Sequence, residues 1–335
     1  MEKKKTAAKK SKQELIVFLV VVALLIFFCA ASPSFRQYTT ILTIMDYSYY
    51  IVLMAIGVSF PLITGGVDLS IGTGLVCYSL AGGYLIMHHG WPTGAAMLVT
   101  ILFGTAIGVL NGVLIGVMDL PPFLATLCTC MITRGLGSIC SKNTGISWPT
   151  AGQPGCWFRS IFKLDVGGTK IPLGFIWVLL LAILMHYVLR HTKVGRYTIS
   201  IGSNKEAAIL SGINVKFYHI MAYTISGLFA ALASIAYSAV FKTVLPGTGA
   251  GFELEAIGGA IIGGVSATGG AGSIIGTFIG VFVICLLKTG LPFIGLQANW
   301  QQIVTGFVLI GSVMVDIIKK RKEKRKEYEL QEQII

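Results

Sequence analysis

Charge is what this sequence has least of. Aspartate, glutamate, lysine and arginine make up 12% of its 335 residues, while 54% are hydrophobic and the mean hydropathy is +0.79. A soluble chain of this size carries about twice that charge, which excludes an ordinary water-soluble domain. A phosphate loop of the form G-x-x-x-x-G-K-[ST] is also missing, so ATP binding and hydrolysis by this chain are not expected. No G-x-S-x-G elbow, H-E-x-x-H zinc motif or pair of intramembrane carboxylates suggests a catalytic centre. The seven cysteines and five histidines show no metal-ligand spacing, so neither metal nor cofactor is expected. Cys140 and Cys156 flank the longest polar loop and are the one pair that could bridge in an oxidising compartment.

What is present is a series of long apolar runs, and a spanning helix needs about 20 apolar residues. Hydropathy marks about ten: 15–31, 48–65, 69–87, 94–117, 123–140, 171–189, 218–241, 254–270, 273–291 and 300–318. The fold class is therefore an all-α polytopic membrane protein with about ten transmembrane helices. The net charge of +12 is no nucleic-acid footprint, because the basic residues cluster at the two ends. Six lysines fall in the first twelve residues, and Lys319 to Lys322 with Lys324 to Lys326 lie near the other end. Basic clusters beside the first and last spans mark the cytoplasmic side. Residues 1–14 and 319–335 then read as cytoplasmic tails, 15–318 as the transmembrane domain and 190–217 as a cytoplasmic loop. The loop 141–170 falls outside despite Lys142, Arg159, Lys163 and Lys170, against the charge rule.

Gly65-Gly66, Gly258-Gly259, Gly263-Gly264 and Gly269-Gly270 interrupt apolar runs. Small residues let helices approach closely in lipid. Paired glycines also suit broken or re-entrant helices, which survive at membrane depth only where they are buried or line a cavity. Asp68, the lone charge between residues 54 and 86, follows the first pair. It has two readings: a cap on the next helix, or a polar group on a translocation path together with Gly65, Gly66 and Ser70. Asn111 needs an interhelical partner and Arg134 either snorkels to the interface or pairs inside the bundle, and both are further candidates for that path. Glu253 and Glu255 begin a span near the outer face, as helix-start carboxylates or as partners for a docking protein. The stretch Lys205 to Leu210, between Gly202 and Gly212, reads as a short helix with Asn204 as its cap and Glu206 in its first turn.

Four blocks then resemble one family: MAIGVSFPLITGGVDLSIG (54–72), GVLNGVLIGVMDLPPFLATLCTCMITRGLGSI (108–139), VGRYTISIGSNKEAAILSGINV (194–215) and GFELEAIGGAIIGGVSATGGAGSIIGTFIG (251–280). In order and spacing they are similar to the permease subunits of ribose/galactoside-type ABC sugar importers. The resemblance implies a type II ABC importer-like bundle in a bacterial inner membrane. It implies a monosaccharide or related small polar solute, a separate ATPase subunit that binds the ATP, an extracytoplasmic solute-binding protein and a second permease subunit, as a homodimer. It makes the stretch with Gly202, Asn204, Glu206, Ala207, Ala208 and Gly212 the helix that couples to the ATPase. The loop 143–163 and the cysteines of CTC (128–130) depart from the family pattern. The competing class is a secondary transporter driven by protons or sodium, for which acidic or histidine relays inside the spans would speak.

Overall fold

The computed structural model describes residues 2–332; Met1 and residues 333–335, the extremities of the two expected tails, lie outside the described residues. Helix α1 (Glu2–Ala31) leads through a 3-10 turn (Pro33–Arg36) into α2 (Tyr38–Ile63). Then come α3 (Ser70–His89), α4 (Thr93–Gly116) and α5 (Pro122–Cys140). A long connection follows, holding β1 (Ile146–Ser147), α6 (Trp157–Ser160), β2 (Leu164–Val166) and β3 (Thr169–Ile171). Helix α7 (Gly174–His191) returns to the opposite face, where α8 (Lys193–Ser203) and the short α9 (Lys205–Leu210) lie. The chain ends with α10 (Val215–Val240), β4 (Thr243–Val244), α11 (Phe252–Ile262), α12 (Ile274–Phe293) and α13 (Ala298–Glu332).

Among the described residues nine helices are long and apolar enough to cross a membrane: α1 to α5, α7, α10, α12 and α13. In α2, α3 and α12, 72% of the span is buried, whereas in α13 none is, so the first three form the core and α13 runs along the outside. The closest pairing is α4 against α10. Gly104, Gly108, Gly112 and Gly116 recur at helical spacing, and a Cβ added to them would stand 2.5–2.8 Å from Ala231, Tyr223, Ile220 and Lys216. Without an apolar driving force between helices in lipid, such backbone contact is how they associate.

The expected span 254–270 is not a through-going helix. Helix α11 has 11 residues, and its start packs Phe252 against Tyr50, the thirteenth of the 26 residues of α2. It begins at mid-depth, therefore, and Glu253 and Glu255 lie inside the bundle instead of at its outer edge. The glycines at 263–264 and 269–270 end the helix and form the turn that leads into α12. A run of turns over residues 246–251 leads into this half-helix.

The 141–173 connection is tied down over the bundle. β1 pairs antiparallel with β4, Ile146 opposite Val244. Trp148 is fully buried, its indole N–H donating to the Ser79 carbonyl at 2.9 Å. Arg159 donates to three carbonyls, Pro149 (2.7 Å), Trp148 (3.3 Å) and Ala239 at the end of α10 (2.7 Å), and burial lowers its pKa. Lys163 pairs with Asp46 at 2.5 Å. These contacts explain how a basic loop is retained there: two of its cations are occupied. Cys140 and Cys156 are both free thiols, one at the end of α5 and one before α6, and the clamp holds the loop without a bridge.

Candidate functional site

The break between α2 and α3 begins where Pro61 removes a backbone donor from the last turn of α2. Thr64 then accepts no further helix and Gly65 turns the chain at φ +88°. Asp68 follows, 0% exposed, and its carboxyl collects three donors. Oδ1 accepts from the Ser70 N–H (3.0 Å) and hydroxyl (2.6 Å), and Oδ2 accepts from the Ser226 hydroxyl of α10 (2.6 Å). Asn111 of α4 donates to Ser70 Oγ at 2.9 Å, which extends the chain of donors. Thr126 of α5 and Tyr223 of α10 donate to the Val67 carbonyl at 3.2 and 3.5 Å. The knot joins four helices at the break and satisfies a carboxyl that would otherwise be costly in hydrocarbon; the Asn111 Oδ1 is its one buried oxygen without a partner. Asp68, Ser70 and Asn111 are thus brought together but sealed from any surface, and Asp68 serves the opening of α3.

Below the knot the break touches α8. The Gly270 N–H donates to the Ile63 carbonyl at 2.9 Å, and the Ser203 hydroxyl donates to the Gly270 carbonyl at 3.3 Å. Gly202 fits between them: a Cβ there would fall on the Ile63 carbonyl oxygen and 2.5 Å from the Gly270 nitrogen. Gly202, the residue bounding the short helix in the sequence, thus serves close packing. A cavity of about 230 Å³ opens beside this junction, lined by Gly65, Gly66, Asp119, Pro122, Lys205 and His219.

The short helix itself spans Lys205–Leu210, and Asn204 caps it by accepting from the Ala207 N–H at 2.9 Å. Glu206 and Ala207 are exposed, Gly212 closes the turn at φ +77°, and Ala208 faces inward against Ile201 and Val215. Residues the sequence did not single out dominate its surface. Leu210 is 90% exposed, with Ile209 and Phe217 also uncovered. They stand among Lys205, Glu206, Ser211 and Lys216, so this apolar tip is not in lipid. Apolar residues at the end of a polar helix were the signal available for finding them.

On the opposite side of the break, Arg134 is exposed on α5, and Met131, Ile132 and Leu136 beside it are also uncovered. Residues 245–251 descend without regular structure to the start of α11, with Leu245, Gly247 and Ala250 exposed. Arg134 and Glu253 both lie near the Cys130 thiol. Behind this stretch, Lys288 of α12 pairs with both oxygens of Glu255 at 2.8 and 2.9 Å and donates to the Tyr50 hydroxyl at 3.3 Å. The rings of Tyr47 and Phe252 lie 5.0 and 4.9 Å from the same ammonium. Glu255 thus has a partner within its own chain. Lys288 lay unmarked in an apolar run, and nothing short of the fold brings it to Glu255.

The family model described as the permease component of branched-chain amino acid transport systems matches residues 40–313. The chain is 33% identical over 295 residues to the ribose import permease of Escherichia coli K12, covering 85% of this chain and 88% of that protein. It is 33% identical to the D-allose transport permease of the same strain, over 85% and 86% of the two chains. To the fructose import permease of Bifidobacterium longum it is 32% identical, over 81% and 80%. No solved structure matches this chain.

Proposed function

The chain belongs to the permease-component family of solute importers, and from that premise we propose that it is the membrane-spanning subunit of an ATP-driven monosaccharide importer. The relatives named for ribose, allose and fructose support that solute class. ATP is bound by a separate ATPase subunit, a solute-binding protein delivers the sugar at the outer face, and a second copy of the chain completes the pathway. Both termini and the α8–α9 segment lie in the cytoplasm of a bacterial inner membrane, in line with the basic residues Arg190, Lys193, Arg196, Lys205 and Lys216.

The observation that carries the reading is α9: a capped helix with an uncovered apolar tip, braced through Gly202 and Ser203 against the α2–α3 break. Such a knob inserts into a groove of the ATPase and passes its displacement directly to the bundle. The path itself runs along α5 and residues 245–254. Non-helical backbone at membrane depth cannot face lipid, because its N–H and C=O groups would be unpaired. An exposed Arg134 on the same side needs water or protein for the same reason. This moves the path away from Asp68, Ser70 and Asn111, which hold the bundle together, and keeps Arg134 on it. Alternating access follows when the ATPase pair closes and draws the two knobs together.

Replacing Leu210 with aspartate is expected to abolish co-purification of the ATPase while leaving the amount of permease in the membrane unchanged, since the side chain touches little of its own chain. A cysteine at Ala207 in the native background should crosslink to the ATPase. Undiminished co-purification of the Leu210→Asp variant, with no crosslink from position 207, contradicts the assignment of α9.

A further inference from the structure

Below the Asp68 knot, the cleft of about 230 Å³ joins four elements of the fold. It is lined by Thr64, Gly65 and Gly66 of the α2–α3 break, by Asp119 to Pro122 of the α4–α5 turn, by Lys205 at the start of α9 and by His219 of α10. Its inner end is closed. Gly66 is buried, and a Cβ there would fall 2.3 Å from the Tyr223 hydroxyl and 3.3 Å from Pro122. Tyr223 donates to the Val67 carbonyl, and Asp68 beyond it is fully buried. The mouth is open, with Gly65, Asp119 and Lys205 exposed on the face that carries α9. The cleft is therefore a dead end entered from the side of α9, separate from the path beside α5.

Its polar groups are ones the fold leaves unused. Asp119 stands at φ +54°, a left-handed conformation that few residues other than glycine adopt and that aspartate tolerates. The Met118 N–H to the Val113 carbonyl (3.2 Å) and the Leu120 N–H to the Leu114 carbonyl (3.0 Å) fix the turn on either side of it. Neither Asp119 nor Lys205 has an ion-pair partner among the described residues. His219 keeps a buried Nδ1 without a hydrogen-bond partner, where a buried polar atom normally has one. Thr64 donates to the Pro61 carbonyl at 2.7 Å and retains its lone pairs as acceptors.

One carboxylate, one ammonium, one imidazole and one hydroxyl thus line the same space. An anion there meets Asp119 and a cation meets Lys205. A neutral polyol suits both, because each of its hydroxyls can donate and accept. At about 30 Å³ per water, 230 Å³ holds roughly eight waters, which is room for a monosaccharide and too little for a nucleotide.

We propose that this cleft is a cytoplasmic binding site for a small neutral polyol, namely the transported monosaccharide, and that its occupancy slows import. That the mouth faces the cytoplasm and that the polyol is the transported sugar rest on the function proposed above. A polyol bound here bridges Lys205 of α9 to Asp119 of the α4–α5 turn and His219 of α10. Displacement of α9 then has to break those hydrogen bonds, so sugar accumulated inside opposes further uptake.

The test uses the complete permease–ATPase complex in proteoliposomes that enclose ATP, with the solute-binding protein and radiolabelled ribose outside. An open site with few contacts binds in the millimolar range, so a few millimolar of enclosed unlabelled D-ribose should slow initial uptake by at least about threefold. The rate with enclosed ribose is compared with the rate without it, separately for each variant. Asp119→Asn keeps the turn, since asparagine also tolerates positive φ, and loses a hydrogen bond to a charged group; roughly tenfold more enclosed ribose should be needed for the same slowing. Occupancy is read directly on the complex in detergent by the rate at which a polar maleimide modifies Pro121→Cys, a change at the exposed rim, with the native chain as the blank for its own cysteines. D-ribose should slow modification at position 121, and phosphate and glycine should not. Uptake that enclosed ribose slows equally in Asp119→Asn and the native chain, or does not slow at all, overturns the site, as does a lack of protection by ribose at position 121. Protection by phosphate or glycine overturns the assignment to a neutral polyol. A native complex that takes up no ribose with ATP contradicts the function proposed above instead, and the labelling then decides the site.

Discussion

Asp68→Ala will destabilise the protein by about 4 kcal/mol, the largest effect expected of any single substitution in the bundle. Hydrogen bonds to a charged group are worth about 1.5–3 kcal/mol each, and leaving a buried donor unpaired adds its desolvation cost. Here three donors converge on one fully buried carboxyl, and two come from Ser70 and Ser226, whose hydroxyls have no water to turn to. Asp68→Asn should cost roughly half as much, because it keeps one acceptor and a hydroxyl can rotate to accept from the new amide. Ser226→Ala removes a single bond and should cost about 1–3 kcal/mol. Thermal unfolding in detergent, together with the amount of protein in the membrane, measures all three. Asp68→Ala melting with the native protein would show that the knot is dispensable and would return Asp68 to consideration as a group on the path.

The second large effect belongs to Gly202→Ala, and it should appear in transport. The added methyl meets the Ile63 carbonyl oxygen and the Gly270 nitrogen, both backbone atoms, so no side chain can swing aside. Over-packing of this kind typically costs about 1–3 kcal/mol. Relief comes only by moving α8 away from the break, which separates the two elements that carry displacement into the bundle. Uptake should fall by about tenfold or more, a barrier change of about 1.4 kcal/mol, while the ATPase remains bound through the intact tip of α9. A Gly202→Ala variant with native uptake would mean that α8 and the break need not touch.

The sequence made the membrane class, the crossings and the short capped helix legible, each for a local reason. Apolar runs of 17 residues or more have one solvent in which they are stable, and Asn204 with Glu206 defines a helix start without help from the fold. The four-residue spacing of Gly104, Gly108, Gly112 and Gly116 is a local pattern of the same kind, and α10 supplies the close packing it suits. What stayed hidden depends on partners distant in the chain. Lys288 finds Glu255 across 33 positions, and Asp68 finds Ser226 across 158. Hydropathy also cannot tell a whole helix from a half-helix followed by a glycine-rich turn, because both are apolar along their length. The segment 254–270 was misjudged for that reason, and its glycine pairs held the only hint. Gly202 shows the converse: a glycine beside a short helix suggests freedom, but its lack of a side chain serves contact.

Uptake of radiolabelled ribose by proteoliposomes containing the chain and its ATPase, supplied with the solute-binding protein, tests the central claim most directly, with ATP and the ion gradients varied independently. Accumulation that requires ATP, persists when ionophores dissipate proton and sodium gradients and disappears with Leu210→Asp is the expected result. Accumulation that proceeds without ATP and collapses with the ionophore would contradict it and make the chain a secondary transporter, with Glu253, Glu255 and Asp316 as the groups to examine for proton transfer.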